Sequence, residues 1–168
     1  MTNRRLLPIV QEFNLNVREV NNLVLLDRDG TLNRDLGYTY KLSDLVILPT
    51  NIEFIKSLVN KQSSVICITN QSGIGRGYFS LEEAKKFNQA LHKKLSEHGL
   101  QIEVFYICPH VPDLKCACRK PRTLMLEMAL RRSKIPIEKT VFFGDSITDQ
   151  IACMKLDIKY IQVNANNE

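Results

Sequence analysis

Short apolar runs recur along the chain, and each stops abruptly at a polar residue or a proline. Residues 23–27 (LVLLD) end in Asp27, residues 65–69 (VICIT) run into Asn70 and Gln71, and residues 140–144 (TVFFG) run into Asp145. Residues 104–108 (VFYIC) meet Pro109, and a further run, YIQV, occupies residues 160–163. Apolarity in these runs is continuous rather than alternating, the pattern of strands covered on both faces in a parallel sheet. Helical spacing of apolar residues fills the gaps at 50–60, 84–98, 122–134 and 147–156. Ser80 and Glu83 have the spacing of a capping box, Gly99 supplies a stop, and Pro121 suits a first helical turn. This alternation predicts an α/β domain, a doubly wound, Rossmann-like parallel sheet, with no segment long enough for a separate cap domain. Ligands in such sheets gather beyond the carboxyl ends of the strands, where Asp27, Thr69 and Asp145 are predicted to sit.

Residues 1–21 stand outside the pattern and are assigned as an N-terminal extension, leaving 22–168 as the domain. Leu6, Leu7, Ile9, Val10 and Phe13 are spaced for a short helix broken by Pro8, docked loosely on the rest. A chain of 168 residues with 44% hydrophobic content suffices for one core. The balance of 23 Lys+Arg against 18 Asp+Glu gives a net charge of +5, which favours anionic ligands. Nucleic acid, an anionic membrane surface and phosphorylated metabolites all match that sign. No run approaches the roughly 20 apolar residues of a membrane span, and the apolar stretch near the start is short for a secretory signal. A cytoplasmic location without membrane contact is therefore expected, and there disulfides are rare. Three of the five cysteines nevertheless cluster, at Cys108, Cys116 and Cys118.

The segment Asp27-Arg28-Asp29-Gly30-Thr31 sets two carboxylates two residues apart as the chain leaves a strand. One can attack phosphorus while the other handles the leaving-group proton. A carboxylate approaching a phosphate dianion is repelled, so a hard cation such as Mg²⁺ is needed between them. Asp145, followed by Asp149, offers a further ligand; Thr69 can bind phosphate oxygens, and Lys120 can neutralise charge in the transition state. By itself Asp-x-Asp after a strand is equally an ordinary loop.

Four segments together go further. Asp27–Thr31 (DRDGT), residues 69–73 (TNQSG), residues 119–121 (RKP) and residues 144–149 (GDSITD) resemble, in order, the four motifs of the haloacid dehalogenase superfamily. The resemblance implies a phosphatase that works through an aspartyl-phosphate intermediate. It makes Asp27 the nucleophile, Asp29 the acid/base, Thr69 and Lys120 the phosphate-binding pair, and Asp27, the Asp29 carbonyl and Asp145 the Mg²⁺ ligands.

Cys108, His110, Cys116 and Cys118 supply three thiols and an imidazole with no spare ligand, a set suited to a closed, structural Zn²⁺ site in a loop at 108–118. Cys67 and Cys153 are expected in the core, and His92 and His98 on the wet side of a helix. The zinc loop running into Arg119 and Lys120 resembles the branch that contains heptose 1,7-bisphosphate phosphatases and histidinol-phosphate phosphatases. Gly37-Tyr38 and the run Asn70–Gly77 resemble the heptose enzymes, which are favoured; the short spacing between His110 and Cys116 resembles the histidinol-phosphate enzymes. On this resemblance Asn70, Gln71, Arg76 and Arg119 are candidate substrate-binding residues. Ser146 departs from both groups, which place a cation there. The Asn70–Gly77 run also resembles polynucleotide 3′-phosphatases, which lack the zinc loop. A non-catalytic binding module is disfavoured because Asp27, Asp29 and Asp145 are all retained. The expected partner is a small phosphorylated metabolite rather than nucleic acid, bound by a monomer through a site roofed by loops near 33–45 and by the zinc loop.

Overall fold

The computed structural model describes residues 6–13 and 19–165. Six strands, β1 (Ile9–Glu12), β2 (Asn22–Leu26), β3 (Ser63–Asn70), β4 (Val104–Cys108), β5 (Thr140–Gly144) and β6 (Lys159–Gln162), form one sheet in the order β1-β4-β3-β2-β5-β6. Pairings among β2 to β6 are all parallel, and β1 alone runs antiparallel, against β4. The helices are α1 (Pro49–Leu58), α2 (Ser72–Gly75), α3 (Leu81–Glu97), α4 (Leu124–Ser133) and α5 (Ile147–Met154). No described helix is long and apolar enough to cross a membrane.

The continuous apolar runs are explained by two cores, one on each face of the sheet. Val24, Leu26, Val65, Cys67, Phe105 and Phe143 pack with Ile52 and Ile55 of α1 and with Phe87, Leu91 and Leu95 of α3. The alternate residues Leu23, Leu25, Ile66, Ile68, Val104 and Phe142 pack with Met125, Leu126 and Ala129 of α4 and with Ala152 and Cys153 of α5. Successive side chains of a strand point to opposite faces, so a strand buried on both sides has no polar positions to spare. Cys67 and Cys153 are buried core thiols, one in each core.

Two expectations are corrected. First, Ile9–Glu12 form a strand rather than part of a helix, with Ile9 opposite Ile107 and Glu12 opposite Val104. Without β1, the backbone groups of β4 would line an open sheet edge, and pairing satisfies them. Phe13 then stacks on His92 of α3 at 4.1 Å between ring centroids and meets Phe105 edge-on. His92 is consequently half-covered by this ring rather than facing water. Of the expected N-terminal extension, residues 1–5 and 14–18 lie outside the described residues. Second, Pro121 precedes the helix: the Arg122 amide donates to the Arg119 carbonyl at 2.8 Å, closing a turn, and α4 begins three residues later at Leu124.

The capping box at α3 is present, with the Ser80 hydroxyl accepting from the Glu83 amide at 3.2 Å and the Glu83 carboxylate accepting from the Ser80 amide at 2.7 Å. Ser80→Ala leaves one end of this reciprocal pair unmade and is expected to lower unfolding stability by about 1 kcal/mol. Urea denaturation checks this; an unchanged midpoint would show that the cap contributes nothing.

Candidate active site

β2, β3 and β5 are neighbours in the sheet, so their carboxyl ends deliver Asp27, Thr69 and Asp145 to one place. They line a crevice of about 170 Å³ together with Asp29, Asp35, Gly37, Asn70, Lys120, Ser146 and Thr148. The chain leaves β2 in a tight turn, with the Leu32 amide donating to the Arg28 carbonyl and the Gly30 amide to the Asn33 carbonyl, both at 2.8 Å. Gly30 is required twice over. Its φ is +76°, and a Cβ there would overlap the Asp145 carboxylate.

Lys120 is the cation of this crevice. Its buried ammonium lies 2.8 Å from Asp27 Oδ1 and 2.6 Å from Asp149 Oδ1, and donates to the Ile68 carbonyl at 2.8 Å. Burial alone would lower its pKa, but the charges of Asp149 and Asp27 outweigh burial and raise it. Asp27 Oδ1 also accepts from the Arg28 amide at 2.7 Å. Burial, then the nearby Asp149, pushes the Asp27 pKa well up, and Lys120 opposes them. Burial and Asp149 likewise push Asp145 up to about 6.

Asp149 was not singled out as a site residue from sequence, yet it is fully buried and holds Lys120. Its other oxygen, Oδ2, accepts from the Ser146 hydroxyl at 2.8 Å within the capping box of α5. Ser146, the residue that departs from the resembling sequences, thus caps α5 and fixes Asp149. The spacing of Ser146 and Asp149, Ser-x-x-Asp, was the available signal. Thr148, on the first turn of α5, and Asp35 line the crevice and were not identified from sequence.

The Asp29 carboxylate is gripped by Arg28, whose Nε and Nη2 lie 2.8–3.1 Å from its two oxygens. It also accepts from Asn33 Nδ2 at 2.9 Å and Gln71 Nε2 at 2.7 Å. Gln71 bonds Thr69 Oγ1 as well, at 2.8 Å, and is buried beneath the crevice wall. Asn70 lines the crevice and bonds Lys120 through both main-chain groups, accepting from its amide and donating to its carbonyl. Arg76 is exposed at the end of α2, and Arg119 is half-buried; neither lines the crevice. Of the expected roof, the loop near 33–45 supplies Asp35 and Gly37, whereas residues 108–118 line no part of the crevice. Tyr38 packs edge-on against Tyr78, and Tyr40 stacks on Phe79, which ties that loop to the segment after α2.

Two groups of side chains fit metal ions. Carboxylate oxygens of Asp27, Asp145 and Asp149 lie within 4.8 Å of one another. Hard oxygen donors suit Mg²⁺; Asp149 has both oxygens engaged, by Lys120 and by Ser146, whereas Lys120 engages only Oδ1 of Asp27, so the pair left to it is Asp27 and Asp145. Cys108, His110, Cys116 and Cys118 likewise converge within 4.8 Å. Four of the six separations run from 3.2 Å (His110 Nδ1 to Cys118 Sγ) to 3.6 Å (Cys108 Sγ to Cys116 Sγ and to His110 Nδ1). A tetrahedral zinc with ordinary bond lengths needs edges of about 3.5–3.8 Å. The four residues therefore fit Zn²⁺ closely, and all three thiols are free of disulfides.

The raised pKa of Asp145 has a sign that can be checked. Between its ordinary value of 3.8 and about 6, the folded, metal-free protein holds this proton more tightly than the unfolded chain does. Stability therefore falls as pH rises through that window. Asp145→Asn should remove this contribution and gain stability relative to the native sequence as pH rises from 4 to 7, by roughly 1 kcal/mol once the half-exposed position is discounted for solvent screening. Urea titrations in a chelator across that range test it, and parallel pH curves for the two proteins would refute it.

With this geometry in place, comparison with known proteins is direct. Residues 23–163 match the polynucleotide kinase 3 phosphatase family. A Thermoplasma acidophilum protein named "Probable D-glycero-D-manno-heptose-1,7-bisphosphate 7-phosphatase" is 42% identical over 122 residues, 73% of this chain and 76% of that one. The Helicobacter pylori D-glycero-beta-D-manno-heptose-1,7-bisphosphate 7-phosphatase is 34% identical over 83% of this chain and 81% of its own. Among solved structures, D,D-heptose 1,7-bisphosphate phosphatase from B. bronchiseptica, complexed with magnesium and phosphate, superposes with a TM-score of 0.75. It is 31% identical over 83% of this chain and 78% of that chain. The chain belongs to the polynucleotide kinase 3 phosphatase family and is a phosphatase of the haloacid dehalogenase superfamily.

Proposed function

We propose that this phosphatase hydrolyses D-glycero-D-manno-heptose 1,7-bisphosphate through a phosphoryl group carried on Asp27. The observation that carries the reading is the setting of Asp27 between Lys120 and the Asp29 side of the crevice. Oδ1 is held by the Lys120 ammonium and the Arg28 amide, and no hydrogen bond from a described residue engages Oδ2. Oδ2 forms the new bond to phosphorus as the ester P–O bond breaks, and Asp29 delivers a proton to the departing oxygen. Asp29 then takes a proton from water as that water attacks the phosphorus, which releases phosphate and restores the Asp27 carboxylate. Thr69 lines the crevice, with its hydroxyl free to donate to a phosphoryl oxygen while it accepts from Gln71, and Lys120 balances the phosphoryl charge. Asp27, the Asp29 carbonyl and Asp145 would hold Mg²⁺, which would supply the positive charge that screens the repulsion between carboxylate and phosphate.

The sugar assignment follows the names of the relatives. Arg119 adjoins Lys120 in sequence, and its buried Nη1 has no hydrogen-bond partner among the described residues; to serve an anionic or hydroxylated substrate end the guanidinium would have to turn from that position toward the crevice. The family match to polynucleotide 3′-phosphatases supports a second substrate, a 3′-phosphorylated strand end. The small crevice and the zinc loop favour the metabolite.

The deciding measurement is kcat/KM for the heptose bisphosphate, histidinol phosphate and a 3′-phosphorylated oligonucleotide on purified protein. The heptose compound should lead; a clear preference for either of the others would overturn the substrate. Asp27→Asn should abolish turnover on all three with the fold intact, and Arg119→Ala should raise KM for the bisphosphate by a free energy of about 1.5–3 kcal/mol.

Elemental analysis should find about one zinc per chain, retained after mild chelation that removes Mg²⁺ and activity together. Cys116→Ser should release the zinc and weaken activity by loosening the strand-to-Lys120 connection. Freshly reduced protein without zinc would refute the loop assignment.

A further inference from the structure

Arg28 is the largest fully buried side chain of the molecule among the described residues, and it carries a charge. Bringing a guanidinium out of water is unfavourable unless nearly every N–H is matched. Here the matching is extensive and directional. Nε and Nη2 grip both Asp29 oxygens, Nη2 also donates to the Thr39 carbonyl at 2.6 Å, and Nη1 donates to Asn88 Oδ1 at 3.1 Å. The Phe87 ring lies against the guanidinium, 4.7 Å from its centroid.

The network continues outward. Asn88, itself fully buried on α3, donates through Nδ2 to Gln11 Oε1 at 3.1 Å, and Gln11 Nε2 donates to the Lys85 carbonyl at 3.0 Å. Gln11 belongs to β1, the antiparallel strand that sequence analysis left outside the domain. An unbroken line of hydrogen bonds therefore runs from the sheet edge through Gln11, Asn88 and Arg28 to the carboxylate of Asp29. Arg28 is further fixed by the Thr39 carbonyl and the Phe87 ring, and Gln11 by the Lys85 carbonyl.

We propose that Arg28 is a positioning residue for Asp29, and that β1 takes part in this device through Gln11 and Asn88. The proposal rests on the assignment of Asp29 as the acid/base group. A carboxylate that exchanges a proton with a leaving oxygen must be held in hydrogen-bond range of it, and small misplacements cost rate steeply. The fork of Arg28 fixes both the position and the plane of the Asp29 carboxylate, which a single-point contact would not do. Asn88 fixes the fork in turn by occupying Nη1, and Gln11 fixes the Asn88 amide.

A buried ion pair with a purely structural role predicts different behaviour, and leaving-group dependence separates the two. Phenyl phosphate and 4-nitrophenyl phosphate are similar in shape, but the phenolate leaves far less readily without a proton. The parameter kcat/KM reports only steps up to phosphoryl transfer, so the later hydrolysis of the phospho-enzyme does not mask the effect. Arg28→Lys keeps the charge and loses the fork. It should lower kcat/KM about 100-fold on phenyl phosphate and less than about fivefold on 4-nitrophenyl phosphate. Asn88→Leu, of similar volume, should show the same bias at about tenfold on phenyl phosphate, and Gln11→Leu the same direction at about threefold. Should Arg28→Lys fail to fold, the Asn88 and Gln11 variants decide. Equal losses on both substrates, or no loss, in Asn88→Leu and Gln11→Leu would overturn the proposal. Asp29→Asn is the reference: if it lacks the leaving-group bias, the acid/base assignment falls with the proposal; if it shows the bias while the Arg28, Asn88 and Gln11 variants do not, only the positioning role falls.

Discussion

The ammonium of Lys120, wedged between Asp27 and Asp149, is the contact around which the crevice is organised. Three parallel strands end side by side, and their termini bring several carboxylates into a confined, partly dehydrated space. Left alone, such a cluster would take up protons or push apart, as the raised pKa values of Asp27 and Asp145 show. Lys120 offsets part of that repulsion, and it is placed for this by the Ile68 carbonyl at the floor and by Asn70, which brackets its backbone from the adjacent strand. Removing the lysine would leave Asp149 buried without its counter-charge, so the same residue serves the architecture and the chemistry.

Much of this was legible in the chain. Strands buried on both faces leave uninterrupted apolar runs, and their abrupt polar ends marked Asp27, Thr69 and Asp145 because the fold class puts ligands there. The zinc ligands were legible for a different reason: few roles other than metal binding explain three thiols and an imidazole so close in sequence. What escaped was set by partners distant along the chain. Ile9–Glu12 has no strand periodicity of its own and is a strand because β4 offers it an edge. Arg28 looked like a spacer between two aspartates, since Asn88 and Thr39, which make its burial possible, are remote in sequence. Gln71 had the neighbourhood of a substrate contact but bonds Asp29 and Thr69 instead. Asp149 was visible as an acid, and only its contact with Lys120 separates a brace from a metal ligand.

The two metal groups divide their work by ligand chemistry. Oxygen donors at the strand ends suit a hard ion that exchanges waters and phosphate oxygens. The sulfur-rich set suits a softer ion that, enclosed by four ligands, would add rigidity to a short loop. Because that loop runs directly into Arg119 and Lys120, stiffness in one group becomes accuracy in the other, and Asn70 completes the connection from the neighbouring strand.

The pairing of β1 with β4 has a consequence for how the protein is made. On the ribosome β1 emerges before β2, α1, β3 and α3, and its partner β4 only after them. Until then β2 and β3 are the only strands of the parallel set yet made, and β1 remains unpaired. Docking of that segment is a late, long-range closure, slow relative to the local steps before it. A chain stalled before β4 has neither the partner of β1 nor Asp145 and Asp149, so the brace of Asp29 and the cluster of strand-end carboxylates are both completed only by segments made after α3.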